Sequence, residues 1–134
     1  MSIQANVTLV EEAYASFKSG NIEHLVNNLL AEAIEWSVPK VEHVPYTGLH
    51  RGRKEVAQFF VKLADFQEVQ EFEPQEFIAQ GDKVAVLGHY RWRVKSTGKG
   101  FESDWVHVFT IKDGKVIKFQ EYADSLAVQR AASD

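Results

Sequence analysis

A histidine at position 107 lies inside a stretch that is otherwise typical of a buried β-strand, ESDWVHVFTIKDGKV (residues 102–116). Successive residues of a strand point to opposite faces, so His107 shares a face with Trp105 and Phe109. An imidazole among apolar rings is able to donate a hydrogen bond or to move a proton near neutral pH. The pattern therefore predicts a site residue. A hydrogen-bonded core histidine is the alternative.

Three further residues could do acid–base chemistry beside His107. Tyr14 lies on the apolar stripe of a predicted N-terminal helix, so its hydroxyl would point into the protein. Glu121 and Asp124 lie in EYAD, near the end of the last predicted strand. Alternation puts Glu121 on the apolar face and Asp124 on the other, unless a bulge or strand end at Tyr122 reverses this. Either carboxylate could therefore be the acid of the pocket. Asp124 could instead be the N-cap of the helix that follows.

Large aromatic side chains would supply the walls of a pocket around these groups. In KVAVLGHYRWRV (residues 83–94), alternation puts the two aromatic rings on one face with the small valines. Rings with polar tips suit a small apolar or amphipathic ligand, which would enter near the loop at residues 39–52. The predicted ligand-binding residues are Trp36, Tyr46, Tyr90, Trp92 and Trp105.

Helical spacing of apolar residues predicts the elements that position the first half of this site. One helix runs over residues 3–17 and stops near KSGN, and a second follows over residues 21–30. AEAIEWSVP (residues 31–39) is typical of a strand. Residues 40–52 carry too much Pro and Gly for regular structure and predict a long loop. A third helix is predicted from Arg53 to Phe66.

The second half of the sequence changes to the period of β-strands. Turn signals at QGD, STGKG and KDGK separate four runs rich in β-branched and aromatic residues, which predicts an antiparallel meander. SLAVQRAA then predicts a short C-terminal helix. Helices segregated before such a sheet indicate an α+β fold, and 134 residues suit a single domain over 1–134.

Composition argues against several classes of function. The net charge of −4 comes from scattered residues, so no basic stripe marks a nucleic-acid partner. The chain has no cysteine, which excludes disulfides and thiolate metal sites, and no metal-ligand spacing of the H-E-x-x-H kind occurs. No secretory signal or membrane-spanning run is visible. We expect a cytoplasmic protein that binds neither metal nor membrane.

The order of these segments resembles the nuclear transport factor 2-like (NTF2-like) superfamily, specifically its ketosteroid isomerase-related and SnoaL-like members. The resemblance rests on the helix ending in SGN, the PYTGLHRGR loop and the closing DGKVIKFQEYAD hairpin. It implies a cone in which three N-terminal helices pack on a curved, mostly antiparallel sheet around an apolar cavity. It also implies a homodimer. Members include isomerases, epoxide hydrolases, polyketide cyclases and proteins that catalyse no reaction. The fold alone therefore does not indicate which of these functions the chain has.

The resemblance to ketosteroid isomerase implies roles for three positions. Tyr14 falls where that enzyme keeps its oxyanion-hole tyrosine, and His107 where it keeps a protonated aspartic acid. Ser37 falls at the position of the general base, and a serine is no such base unaided. The steroid isomerase set is therefore incomplete.

Limonene epoxide hydrolase gives a second template for the same cavity. Tyr90 and Trp92 fall where that enzyme keeps an arginine and an aspartate, so its charged pair is missing. Asp124 matches its final aspartate, and SnoaL-type cyclases also rely on an aspartate in this segment. The resemblance thus implies that Asp124 is the carboxylate that takes the role of this aspartate.

Together these patterns predict a cavity for a small, largely apolar, carbonyl-bearing molecule. In the enzyme hypothesis, His107 and Tyr14 polarise a carbonyl oxygen while Asp124 or Glu121 moves a proton, without a cofactor. The chemistry would be that of an isomerase, cyclase, lyase or hydrolase. The alternative is a non-catalytic small-molecule-binding protein. An apolar patch on the outer sheet face predicts a homodimer, through Ala85, Leu87, Val106 and Val108.

Overall fold

The N-terminal helices begin and end at recognisable caps in the computed structural model, which describes residues 2–134. Helix α1, Ile3–Ser19, begins where the Ser2 hydroxyl accepts a hydrogen bond from the Ala5 N–H. It ends at Gly20, whose left-handed backbone (φ 78°) is favourable for glycine. Helix α2, Ile22–His24, follows and widens into a π-helical turn over Leu25–Leu29. The second predicted helix is therefore only partly α-helical.

Strand β1, Leu30–Val38, and helix α3, Gly52–Phe66, occupy the predicted places. The prediction of a structureless loop over residues 40–52 is wrong at its end, because Gly48–Arg51 forms a short edge strand, β2, paired with β1. Gly48 and Gly52 have φ values of 98° and 83°, which let the chain turn into and out of this strand. Sequence periodicity does not reveal a four-residue strand that depends on its partner.

The second half forms the predicted antiparallel meander and short terminal helix. The strands are β3, Gln67–Gln80; β4, Lys83–Val94; β5, Gly100–Lys112; and β6, Lys115–Ala123, followed by α4, Ser125–Ala132. The sheet order is β2-β1-β6-β5-β4-β3, with β1 and β6 parallel and the other pairs antiparallel. This confirms the α+β fold. No helix within the described residues is long and apolar enough to cross a membrane.

The inner face of the sheet follows the predicted alternation on β4 and β5. Tyr90 and Trp92 are buried on β4, and Trp105, His107 and Phe109 are buried on β5. Strict alternation holds here because these two strands pair without a bulge over their length. The aromatic face is therefore the one that the helices cover.

Strand β6 departs from that simple pattern. Thr110 pairs with Lys118 but Ile111 pairs with Val116, so Ile117 is an extra residue in the ladder. Val116 is consequently buried, whereas strict alternation back from Phe119 would bury Ile117 instead. The bulge lies near the start of the strand and not at Tyr122, so Glu121 keeps the inward direction that alternation gave it.

Gly88 makes room for a large ring on the inner face. It lies directly opposite Trp105 in the β4–β5 ladder. A Cβ at this position would collide with the Trp105 indole and would lie 2.6 Å from the carbonyl oxygen of Glu73. The indole thus occupies space that any other residue would fill, and stacks on the His107 ring with centroids 3.9 Å apart.

Candidate functional site

Tyr14, His107 and Glu121 form one hydrogen-bonded chain between a helix and two neighbouring strands. The Tyr14 hydroxyl oxygen lies 2.8 Å from Nδ1 of His107. On the other side of the ring, Nε2 lies 2.9 Å from Oε2 of Glu121, which is the residue directly opposite on β6. The side chains of His107 and Glu121 are only 5% and 16% exposed, so water screens this pair weakly.

With Glu121 ionised and His107 neutral, the hydrogen bonds assign the protons of the three groups. An ionised carboxylate only accepts hydrogen bonds, so Nε2 of His107 carries the proton that is donated to Glu121. Nδ1 of a neutral imidazole is then an acceptor, and the Tyr14 hydroxyl donates to it. Burial, and secondly the negative charge of Glu121, raise the pKa of Tyr14 well above its usual range. Tyr14 is therefore a phenol, able to donate.

Aromatic rings hold the imidazole of His107 in this orientation. Trp105 stacks on one side with an interplanar angle of 18°, and Phe119 contacts the ring edge-on at 4.7 Å. Tyr14 is also in contact with Phe109 on β5. These contacts, with a hydrogen bond at each ring nitrogen, keep the two nitrogen atoms directed at Tyr14 and Glu121.

A mostly aromatic cavity, here called the main cavity, lies beside this chain. It is lined by residues of α1, the π-helical turn, α3, the loop before β2, and strands β1, β3, β4, β5 and β6, and its volume is about 80 Å³. Among the described residues that line it, none is Lys or Arg. Its polar lining consists of Tyr14, Tyr46, Gln67, Tyr90, His107 and Glu121.

Two of the cavity's tyrosines are held neutral. The Tyr46 hydroxyl donates to Oε1 of Gln67 at 2.9 Å. Burial is the main cause that raises the pKa of Tyr46 and of Tyr90 above the usual range, with the charge of Glu121 as the second cause. The main cavity therefore offers neutral polar groups and a single carboxylate.

A smaller second cavity adjoins the main one. It lies between the loop at residues 39–47, the end of β6 and the start of α4, and it shares Val38, Tyr46, Tyr90 and Glu121 with the main cavity. Glu121 thus lies between the two spaces. The entry of ligand near the loop at residues 39–52 stays a prediction. The second cavity lies beside that loop.

The structure brings together most of the predicted site residues. The lining of the main cavity includes Tyr14, Trp36, Tyr46, Tyr90, Trp92, His107 and Glu121. Trp105 does not line it but lies behind His107. Ser37, the position implied for a general base, lies on the opposite face of β1 from its buried neighbours Trp36 and Val38.

Asp124 lies outside the main cavity. Its carboxylate accepts hydrogen bonds from the backbone N–H groups of Leu126 and Ala127, as the N-cap of α4. Asp124 lines only the second cavity. The strand ends at Ala123, so the reversal that would turn Asp124 inward does not occur.

His107 bonds to protein groups with both ring nitrogens. The enzyme hypothesis has His107 and Tyr14 both donating to a ligand oxygen, but in the structure the two side chains bond directly to each other. Nε2 is occupied by Glu121. His107 therefore has no free N–H for a ligand and would act through Tyr14 and Glu121, because both of those line the main cavity.

Gln67 is the polar cavity residue that sequence reasoning missed. It is the first residue of β3 and is buried, although glutamine is mostly exposed in proteins. Neither its spacing nor its neighbours mark it, because its role depends on the tertiary contact with Tyr46. Among residues 2–134, no three His, Asp or Glu side chains converge as metal ligands would.

Comparisons with known proteins agree with this fold. A profile described as the SnoaL-like domain matches residues 10–119. No match is found among curated proteins. An NTF2-like protein from Burkholderia xenovorans is 40% identical, with 99% of both chains covered and a TM-score of 0.90. An NTF2-like protein from Burkholderia pseudomallei is 25% identical, with both chains covered over 100% and a TM-score of 0.89.

A third solved structure is more distant in sequence. TerC, co-crystallised with polyporic acid, is 24% identical over 97% of this chain and 99% of its own, with a TM-score of 0.83. At that identity the similarity bears on the fold. The profile match, which spans most of the sequence, and the 40% identical structure decide the family. This chain belongs to the SnoaL-like domain family of NTF2-like proteins.

Proposed function

We propose that this protein moves a proton on a small, uncharged, carbonyl-bearing molecule bound in the main cavity. Glu121 is the base, and Tyr14 is the hydrogen-bond donor to the oxygen on which negative charge develops. The observation that carries the proposal is the Glu121–His107–Tyr14 chain, because it couples the only carboxylate among the described lining residues to a buried phenol. Isomerisation and aldol-type ring closure both begin with this step.

The step balances within the three side chains and the substrate. Glu121 takes a proton from the carbon next to the carbonyl group, and the electron pair of the broken C–H bond forms an enolate. Glu121 takes this proton on Oε1, so Oε2 still accepts the hydrogen bond from Nε2–H of His107. The Tyr14 hydroxyl rotates away from Nδ1 and donates to the enolate oxygen, because the negative charge has moved from Glu121 to that oxygen.

Return of the proton completes the reaction. Glu121 delivers it to the same carbon, to a different carbon of the enolate, or to an oxygen formed by ring closure, and the Tyr14 hydroxyl again donates to Nδ1 of His107. His107 is a positioning residue in this scheme, because it links base and donor without touching the substrate. Proton transfer of this kind needs no cofactor.

Exchange of carbon-bound protons for deuterium tests the proposal directly. 2-Indanone is a small ketone with exchangeable protons, and its exchange in D₂O can be followed by NMR. We expect the wild type to accelerate the exchange and Glu121→Gln to lose the acceleration. Glu35→Gln, which changes an exposed residue of β1, is the matched control. Equal exchange by wild type and Glu121→Gln would overturn the assignment of the base.

A binding protein without chemistry is the second candidate. It is favoured by the main cavity itself, whose walls are mostly aromatic and which contains only one carboxylate among its described residues. Wild-type protein that binds 2-indanone but leaves its protons unexchanged would support this candidate over the enzyme.

The outer face of the sheet supports a proposed homodimer. Ala85 and Leu87 of β4 lie directly opposite Val108 and Val106 of β5, and all four are only half-buried. Tyr122 of β6, opposite Val106, is 59% exposed beside them. A contiguous apolar patch of this kind is typical of a protein–protein interface.

A further inference from the structure

Glu121 and Tyr90 each present one uncommitted polar atom where the main cavity meets the second cavity. Both residues line both spaces. Oε2 of Glu121 accepts a hydrogen bond from His107, and Oε1 has no partner among residues 2–134. The Tyr90 hydroxyl has no partner in that range either. Neither atom is among the unpartnered polar atoms of these residues that are fully buried, so both are open to a water-sized group.

The Tyr90 hydroxyl is a donor on a well-packed ring. The side chain is 8% exposed, and its ring contacts Trp92 and Phe101 edge-on. Burial, and secondly the charge of Glu121, raise the pKa of Tyr90 well above its usual range, so the phenol keeps its proton. The sheet thus presents a neutral O–H beside a carboxylate oxygen.

The other tyrosines of the main cavity have hydroxyl groups that are already engaged. Tyr14 donates to Nδ1 of His107, and Tyr46 donates to Oε1 of Gln67. Tyr90 is therefore the tyrosine of this lining whose proton is available to a ligand in the resting protein.

The second cavity has the size of a single small polar group. Its volume is about 20 Å³, which is a little more than one water molecule needs. The Thr47 hydroxyl on its wall donates to the Val44 carbonyl oxygen, and the Asp124 carboxylate caps α4. None of its described lining residues is Lys or Arg, so no cationic side chain there attracts an anion.

A hydroxyl group matches the two free atoms at its boundary. Oε1 of ionised Glu121 only accepts, whereas the Tyr90 hydroxyl donates, so the group between them must donate to one and accept from the other. A carbonyl or ether oxygen cannot donate, and an ammonium group cannot accept. A carboxylate would be repelled by Glu121.

We propose that the second cavity is a subsite for one hydroxyl group of the ligand, which accepts a hydrogen bond from Tyr90 and donates one to Oε1 of Glu121. The inference rests on the proposed function for placing the carbonyl group in the main cavity. In that scheme Oε1 takes the proton from the carbon next to the carbonyl group. A hydroxyl on the same carbon lies within reach of Oε1, which makes the substrate class an α-hydroxy ketone.

Three ketones with one skeleton test the subsite by calorimetry: 1-indanone, 2-hydroxy-1-indanone and 2-methoxy-1-indanone. We expect the hydroxy ketone to bind on the order of tenfold more tightly than 1-indanone, as about one net hydrogen bond would give. The methoxy ketone should bind no more tightly than 1-indanone, because its oxygen has no proton to donate to Glu121.

Tyr90→Phe should bring the ratio of hydroxy ketone to 1-indanone affinity close to one, because it removes the donor and keeps the ring. The ratio cancels changes in cavity shape that affect both compounds. Tyr122→Phe, at a tyrosine that lines neither cavity, is the matched control and should keep the wild-type ratio. If Tyr90→Phe fails to fold, the three wild-type affinities still decide.

The proposal is overturned if the hydroxy ketone binds no more tightly than 1-indanone, in which case the second cavity holds water only, or if the methoxy ketone binds as tightly as the hydroxy ketone. Its failure is distinguishable from failure of the proposed function. A hydroxyl preference without catalysed exchange of 2-indanone would sink the catalytic role of Glu121 and keep the subsite. Catalysed exchange of 2-indanone without a hydroxyl preference would do the reverse.

Discussion

His107 faces Glu121 directly across the β5–β6 ladder, and 2.9 Å separates Nε2 of the first from Oε2 of the second. Their pairing gives the imidazole a fixed tautomer and leaves Nδ1 as the acceptor for Tyr14. The strand register, which sets this opposition, thereby determines the direction of the whole hydrogen-bonded chain.

Tyr14→Phe removes the donor to Nδ1 and leaves a buried acceptor unpaired. We expect a loss of about 1–3 kcal/mol in the free energy of unfolding. Catalysed proton exchange should fall by about 10²-fold or more, as for loss of an oxyanion donor. Urea unfolding and NMR exchange measure the two effects. Tyr122→Phe, which removes the hydroxyl of a tyrosine outside the main cavity, is the control and should leave the exchange unchanged.

His107→Phe and Glu121→Gln should be non-additive in stability. The first substitution leaves the Glu121 carboxylate without its donor, and the second replaces the acceptor of Nε2–H by an amide. Because both disrupt the same contact, the double variant should be more stable than the sum predicts, by about 0.5–3 kcal/mol. A double-mutant cycle by urea unfolding measures this term. An additive result would show that the contact contributes nothing to folding.

Gly88→Ala should displace the Trp105 indole, which stacks on His107. The new methyl group would occupy the space of the Trp105 indole, and the Glu73 carbonyl leaves no room on the other side. We expect a destabilisation of about 1–3 kcal/mol, as for other overpacked cores, together with slower exchange chemistry. Gly100→Ala is the matched control, because a Cβ there would meet only the Trp92 carbonyl oxygen at 3.5 Å. Similar unfolding curves for both variants would refute this account.

His89, on the outer face of the sheet, should make the stability of the protein depend on pH. The hydrogen bond from His89 to Asp104 is the main cause that raises the pKa of His89, and Glu102 adds to it. A raised pKa in the folded state stabilises the protein fully below the unfolded value of about 6.5, and the effect disappears as pH rises through the folded value. Wild type should therefore lose more stability than His89→Gln across this interval. Parallel curves of unfolding free energy against pH would contradict the prediction.

Val106→Lys should convert a dimer into a monomer. A charge placed at the centre of the proposed interface would be buried without a partner, which costs far more than an exposed lysine. Light scattering at micromolar concentration measures the mass of each form. Val61→Lys, on the exposed side of α3 at 61% exposure, should leave the dimer intact. A monomeric wild type would end the dimer proposal.

Alternation predicted the inward faces of β4 and β5 because those strands are flanked on both sides and pair with each other without a bulge. It thereby indicated Tyr90, Trp92 and His107 together. Helical spacing likewise put Tyr14 on the buried side of α1. These predictions depend only on the spacing of apolar residues along each element, because each element buries one apolar face.

The remaining features depend on contacts between distant residues. Tyr14 and His107 are 93 positions apart, and no local pattern shows that they bond directly. The bulge at Ile117 depends on the register with β5, and the cap at Asp124 on where β6 ends. Trp105 leaves the cavity lining because the opposite residue is Gly88.

The last strand to be synthesised, β6, lies in the middle of the sheet, between β1 and β5. Until β6 emerges from the ribosome, the nascent chain can pair β2 with β1 and fold the β3–β5 meander, but the two parts share no ladder. Glu121 arrives on the strand that joins them. The protein thus acquires its base and closes its sheet in one event, which depends on the non-local pairing of β6 with β1.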